Sequence, residues 1–285
     1  MSSLESKKLY TFFNEEKMKS LENQTIVITG ATSGLGLSLA IQAVQEKANV
    51  VLLSRSNNAL EKVAAKLKLI ASENTKIEYF AADLSNQKDL EKTFKYLENI
   101  ENQVDIFINN AGFGLSGEFV QNDWNQVEKM CNLNMLAVAR LSYWAGNYMK
   151  KRKSGSILNI SAIAAIQAQP FFGIYGATRS FITNLSLAMY KELKSYNVHV
   201  SCAHPGSFKS GFENNARIND TLAVKMLGHM SVDVVAKRTF AGLKKRKAFF
   251  VIGFPYKMIY WSSLVTPKLI GLKIMGILFK QQNPV

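Results

Sequence analysis

The chain has 285 residues, 47% of them hydrophobic, enough for one large core, and an α/β fold of this length commonly forms a single domain. Its two cysteines, Cys131 and Cys202, form neither a disulfide framework nor a metal-ligand pattern, and residues 1–20 mix acidic and basic side chains without the apolar core of a secretory signal. The net charge of +14 is uneven, because no acidic residue follows Asp233 while Lys237, Arg238, Lys244, Lys245, Arg246, Lys247, Lys257, Lys268, Lys273 and Lys280 do.

Residues 24–29 (QTIVIT) form a short β-branched run that predicts a buried parallel strand, and apolar spacing predicts a helix over 34–48. Between them Gly30, Gly34 and Gly36 stand at G-x-x-x-G-x-G spacing, with Thr29, Ser33 and Leu35 in the same loop. Strand, glycine loop and helix together bind phosphate: glycines permit the tight turn and let a pyrophosphate approach the amides of the helix N-terminus. Residues 49–53 predict the second strand, whose following residues face the adenosine ribose in such an arrangement. An acidic residue there would hold the 2′-hydroxyl and repel a 2′-phosphate. Ser54 and Arg55 stand there instead, and a guanidinium forms charge-assisted bonds to phosphate, so NADP(H) is expected over NAD(H).

Residues 76–81 and 104–108 predict the third and fourth strands, with a helix over 86–100 between them. The fourth strand runs into Asn109-Asn110-Ala111-Gly112, and a long helix is expected from 124 to about 151, with Asn134 inside it. Residues 156–160 predict the fifth strand, which delivers Ser161 to the C-terminal edge of the sheet, where open α/β sheets bind ligands. Tyr175 and Arg179, four apart at a helix start, share one face. A phenol is a weak acid at neutral pH and a fixed cation nearby favours its anion, so this pair is the candidate reaction centre, with Tyr175 as general acid or base. Residues 197–203 predict the sixth strand, leading to His204-Pro205-Gly206; 231–247 predict a helix opened by Ser231, and 248–252 the seventh strand. The expected fold class is α/β, a doubly wound, Rossmann-like parallel sheet of about seven strands with helices on both faces. His199, His204 and His229 lack companions at metal-ligand spacing, so no metal is expected.

The TGxxxGxG loop, the NNAG run after the fourth strand and the stretch SAIAAIQAQPFFGIYGATR over residues 161–179 together resemble the short-chain dehydrogenase/reductase family. The resemblance implies that Asp83 lies by the adenine amino group and that Asn110, Ala111 and Gly112 run beneath the cofactor. Ser161, Tyr175, Arg179 and Asn134 would be the catalytic four, with Asn134 in a helix kink that holds a water. Pro205, Gly206 and Ser210 would flank the nicotinamide, residues 207–230, including Gly211 and Gly228, would form a substrate lid, and two subunits would pair through the helices after strands four and five. Two positions depart from the family pattern. Its usual Tyr-x-x-x-Lys is closed here by Arg179, and its serine, thirteen residues before the tyrosine, is replaced by Ala162, with Ser161 one position earlier. Arginine keeps the charge, but a guanidinium does not release its proton and cannot relay one as an ammonium does.

The expected organisation is an N-terminal segment over 1–20, a Rossmann-like domain over 21–253 and an apolar, basic extension over 254–285. Prolines and lysines interrupt that extension, so no run approaches the ~20 apolar residues of a membrane span. Thr266-Pro267 opens a helix in it, and Lys273 and Lys280 recur seven apart among apolar residues. An interfacial anchor on an anionic membrane is expected, against an extra core helix or a subunit contact. The expected function is NADP(H)-dependent reduction of a carbonyl, or the reverse oxidation, on a lipophilic steroid, retinoid-like or fatty acyl substrate. The alternative is a catalytically impaired NADP(H)-binding sensor or scaffold. A cytoplasmic location, peripheral to a membrane, follows as an expectation, and nucleic acid is not expected because no recognition motif accompanies the charge.

Overall fold

The computed structural model describes residues 17–100, 104–210 and 222–279. Most of the N-terminal segment, the middle of the expected lid with Gly211, and Lys280 lie outside the described residues. In chain order the elements are β1 (Thr25–Thr29), α1 (Gly34–Gln45), β2 (Asn49–Ser54), α2 (Asn57–Lys68), β3 (Ile77–Ala81), α3 (Gln87–Glu98) and β4 (Ile106–Asn109). There follow α4 (Trp124–Cys131), a π-helical segment Asn132–Ala137, α5 (Val138–Arg152), β5 (Gly155–Ile160), α6 (Gly173–Leu193) and β6 (Val198–Pro205). The chain continues through α7 (Leu222–Leu227), α8 (Val232–Lys244), β7 (Phe249–Ile252), α9 (Phe254–Val265) and α10 (Lys268–Phe279). The strands form one parallel sheet in the order β3-β2-β1-β4-β5-β6-β7, the expected doubly wound topology.

Strands buried on both faces need apolar residues at odd and even positions alike, and each position then joins one of two cores. Ile26, Ile28, Val50, Leu52, Ile106 and Ile108 pack against Leu39 and Val44 of α1, Leu60 and Leu67 of α2, and Val235 and Phe240 of α8. Their alternates Val27, Val51, Leu53, Phe107 and Ile157 pack against Leu90 and Leu97 of α3 and Leu141 and Met149 of α5. Burial of each such side chain contributes roughly 1.5–3 kcal/mol. Among the described residues three helices begin on side chains that satisfy free amides: Ser56 accepts from Ala59 N at 3.3 Å, Asn86 accepts from Lys88 N at 2.9 Å and Asp89 N at 3.3 Å, and Asp123 accepts from Asn125 N at 3.0 Å. The long helical stretch expected from residue 124 is interrupted by a π-helical turn around Asn134, where the resemblance implied a kink.

A buried polar network ties the middle of the sheet to its helices. Asn109 Nδ2 donates to Asn159 Oδ1 at 2.8 Å and to Ser142 Oγ at 3.0 Å, and Asn159 Nδ2 donates to Ser186 Oγ at 2.9 Å. The four residues are buried and come from β4, β5, α5 and α6. Removing one member leaves the others with unmet hydrogen bonds in a place water does not reach. Asn159→Ala is therefore expected to lower the unfolding free energy by roughly 2–4 kcal/mol, read from urea denaturation. A loss below about 0.5 kcal/mol would mean that the network does not support the fold.

Candidate active site

At the C-terminal edge of the sheet lies a cavity of about 790 Å³. One end is the glycine loop. Gly30 and Gly34 have φ of 66° and 52°, a left-handed conformation that a Cβ disfavours. The N-terminus of α1 has no side-chain cap and no acidic residue in its first turn, so its amides remain available to an anion. Gly30, Ser33, Gly34, Leu35, Asn110, Ala111, Gly112 and Ser210 line the cavity.

Two loop residues lie behind that wall. Thr29 Oγ1 accepts from Asn110 N and Ala111 N, both at 2.9 Å, and so ties β1 to the NNAG turn. A Cβ on Gly36 would collide with the carbonyl oxygen of Gly30, so this glycine closes the helix onto the loop. At the far end of the loop Arg55 is exposed on the cavity rim. Asp83 accepts from Ser85 N and Oγ at 3.0 and 2.6 Å, with Lys129 at 3.7 Å. Burial pushes its carboxyl up, but these bonds with Lys129 and Arg55 outweigh that and hold it below the usual carboxylate range. Capping of α3 falls to Asn86, so Asp83 is left on the cavity wall.

The other end is the Tyr175 region. Tyr175 and Arg179 are 6% and 5% exposed, and the guanidinium carbon sits 5.0 Å from the centroid of the tyrosine ring. Arg179 Nη1 donates to Ile160 O at 3.1 Å, and a Cβ on Gly112 would collide with Nη2, so the glycine of the NNAG turn makes room for the cation. Arg179 Nε is buried without a partner. Asn134 is fully buried behind this pair. Its Nδ2 donates to Phe113 O at 2.8 Å and Thr178 Oγ1 at 3.2 Å, and its Oδ1 accepts from Phe113 N at 3.2 Å. Asn134 thus fastens the turn after Gly112 to the start of α6 and does not reach the cavity surface.

Ser161 lines the cavity, and its hydroxyl has partners within the fold. Its Oγ donates to Arg179 O at 2.9 Å and lies 3.0 Å from Thr183 Oγ1, which in turn meets His204 Nε2 at 2.9 Å. The hydroxyl is engaged by α6, anchoring the helix that carries Tyr175 and Arg179. Burial pushes His204 down to about 4, so the end of this chain is neutral at physiological pH. Ala162 belongs to the apolar cluster around Tyr175, with Met130, Ala164 and Phe172. Successive side chains of an extended segment point to opposite sides, so at most one of residues 161 and 162 faces the phenol.

Several wall residues lie outside the sequence expectation: Thr32, Lys129, Gln169, Phe172, Tyr256 and Phe279; Leu227, also on the wall, falls within the expected lid, and Tyr256 and Phe279 come from the C-terminal extension. Tyr256 is buried against Gly206 of the Pro205-Gly206 turn, where a Cβ would strike its ring, and Gly271 of α10 packs on Gln167. Outward, α9 and α10 leave Phe254, Met258, Trp261, Leu264, Leu269 and Ile277 exposed, with Lys257, Lys268 and Lys273 among them. Among the described residues no helix is long and apolar enough to cross a membrane, and no group of side chains is arranged to hold a metal.

A family model described as short chain dehydrogenase matches residues 24–221. The chain is 27% identical to the ketoacyl reductase HetN of Nostoc over 82% of its own length and 80% of that protein's. It is 26% identical to the 3-ketodihydrosphingosine reductase of Bacteroides thetaiotaomicron over 70% of each. The structure superposes on a short-chain dehydrogenase from Sphingobium yanoikuyae in complex with NADPH with a TM-score of 0.76, at 25% identity, covering 92% of this chain and 98% of that one. A glycine loop on a parallel sheet, a buried tyrosine–cation pair at the same cavity and these likenesses agree: the chain belongs to the short-chain dehydrogenase family, as an NAD(P)-dependent oxidoreductase.

Proposed function

We propose that the protein is an NADP(H)-dependent reductase of a lipophilic carbonyl compound, working against an anionic membrane surface. The observation that carries the reading is the buried Tyr175–Arg179 pair on a cavity that also holds the glycine loop. The residues present fit a dinucleotide: the uncapped α1 N-terminus suits a pyrophosphate, and the unpartnered Arg179 Nε suits an acceptor such as a ribose hydroxyl. The loop over 29–36, Asp83, the NNAG turn, Pro205, Gly206 and Ser210 would hold this group, which supplies the hydride. Exposed Arg55, with no carboxylate at the end of β2, favours a 2′-phosphate.

Tyr175 Oη would give its proton to the substrate oxygen. Arg179 would stabilise the negative charge left on the phenol, acting from the ring face without exchanging a proton of its own. Ser161 would act as a positioning residue through α6, and Asn134 would fix the turn between the cofactor floor and α6. The lipophilic substrate is supported by the aromatic and aliphatic wall of Phe172, Leu227, Tyr256 and Phe279, and by the sphingoid ketone in the name of one relative. The membrane contact is supported by the outward apolar face of α9 and α10, its lysines and the absence of acidic residues beyond Asp233.

Tyr175→Phe is expected to lower kcat at least about 100-fold while leaving NADPH affinity nearly unchanged, and Arg179→Lys to raise kcat by restoring a proton relay. NADPH consumption with medium-chain ketones measures both, and full activity in Tyr175→Phe would sink the assignment. If activity appears only when Arg179→Lys is combined with Ala162→Ser, the natural protein is a binding module.

Arg55→Ala is expected to weaken NADPH binding about 10- to 100-fold and to leave NADH binding unchanged, by calorimetry. Equal affinity for both cofactors in the wild type would remove the NADP(H) preference.

Combined Lys257→Glu, Lys268→Glu and Lys273→Glu should cut partition onto anionic vesicles about 100-fold, at roughly 1 kcal/mol for each lysine. Sedimentation with vesicles reads the change. Wild-type protein that stays in the supernatant would leave the face to a subunit contact.

A further inference from the structure

The wall near Tyr175 carries a polar side chain that the fold does not use. Gln169 is 6% exposed and lines the cavity, and its Oε1 is buried with no hydrogen-bond partner. Its main chain is engaged, since Gln169 O accepts from Phe172 N at 3.1 Å. The Phe172 ring in turn lies 4.4 Å from that of Tyr175, so the main-chain turn at Gln169 adjoins the wall beside the phenol, and Gln169 shares the cavity lining with Tyr175.

A buried amide oxygen left unpaired destabilises a fold, and an apolar side chain of similar size would serve packing better. Natural sequences break this rule chiefly where a ligand supplies the missing partner. The neighbouring wall offers the substrate few alternatives: Ala162 and Ala164 bear only methyls, and the Ser161 hydroxyl is engaged by α6.

We infer that Gln169 is a substrate-recognition residue that binds a hydroxyl carried by the substrate in addition to its reacting carbonyl. A hydroxyl both donates and accepts, so it pairs with a carboxamide turned either way. This assignment rests on the reading of the cavity as the site of a lipophilic carbonyl substrate, and it narrows that class to hydroxylated ketones.

The test is calorimetry in the presence of NADPH with a medium-chain alkanone and a series of monohydroxylated alkanones of the same chain length, on wild type, Gln169→Met and Gln169→Leu. The wild type is expected to bind its preferred hydroxyalkanone at least about 10-fold more tightly than the alkanone. Both variants should lose about 5- to 150-fold of that preference while keeping their affinity for the alkanone. Their unfolding midpoints without ligand should be unchanged or raised, because an unmet polar group has been removed. Wild-type protein indifferent to the hydroxyl, or a preference untouched by both variants, would overturn the assignment. Lowered midpoints with equal weakening of all ligands would overturn it too, and make Gln169 a packing residue. Binding is read without turnover, so hydroxyl preference without NADPH oxidation would sink the proposed reaction alone, and oxidation without preference would sink this assignment alone.

Discussion

The site is built around one buried charge. Moving a guanidinium out of water costs several kcal/mol unless its donors are met, and among the described residues Arg179 has no carboxylate within ion-pair distance. What it has is the carbonyl of Ile160 where β5 ends, the face of the Tyr175 ring and the space beside Gly112. Each of these constrains a different part of the chain. The fifth strand must end at the cavity, α6 must begin with Tyr175 on the same face, and the turn after β4 must carry a glycine. The unpartnered Nε shows that the protein alone does not complete the solvation of this cation.

The sheet makes the convergence possible. All seven strands are parallel, so their C-terminal ends open on one side, and the glycine loop, the NNAG turn, Ser161 and Pro205-Gly206 all follow strand ends there. Helix α6 must then be held at a fixed height against the strands. Two polar devices do this: the Asn109–Asn159–Ser186 network beneath, and the Ser161–Thr183–His204 chain above it. Both replace water with protein partners, and both fix register in a way that interchangeable apolar contacts do not.

The C-terminal extension has two faces, one packed on the domain and one exposed. Its inner side is part of the core, through Tyr256 on Gly206, Gly271 on Gln167 and buried Met275, and it contributes Phe279 to the cavity. Its outer side leaves Trp261, Leu264 and Ile277 in solvent beside lysines. The same two helices thus form part of the cavity wall and an outer apolar surface.

Much of the fold is local and therefore legible in the residues themselves. β-Branched runs predict the strands, the Gly30-Gly34-Gly36 spacing marks the phosphate loop, and a four-residue interval sets Tyr175 and Arg179 on one face. The helix α2 and the interruption around Asn134 have weaker local signals, since a π-helical turn depends on what the kinked carbonyls meet elsewhere. Only the tertiary structure shows the Ser161 hydroxyl engaged by α6, because adjacent residues of an extended segment face opposite sides and the composition of the stretch does not say which side holds that helix. It alone revealed the unpaired amide of Gln169 and the inward face of the extension. Burial and the lack of a partner are properties of what surrounds a residue, and those surroundings come from distant parts of the chain.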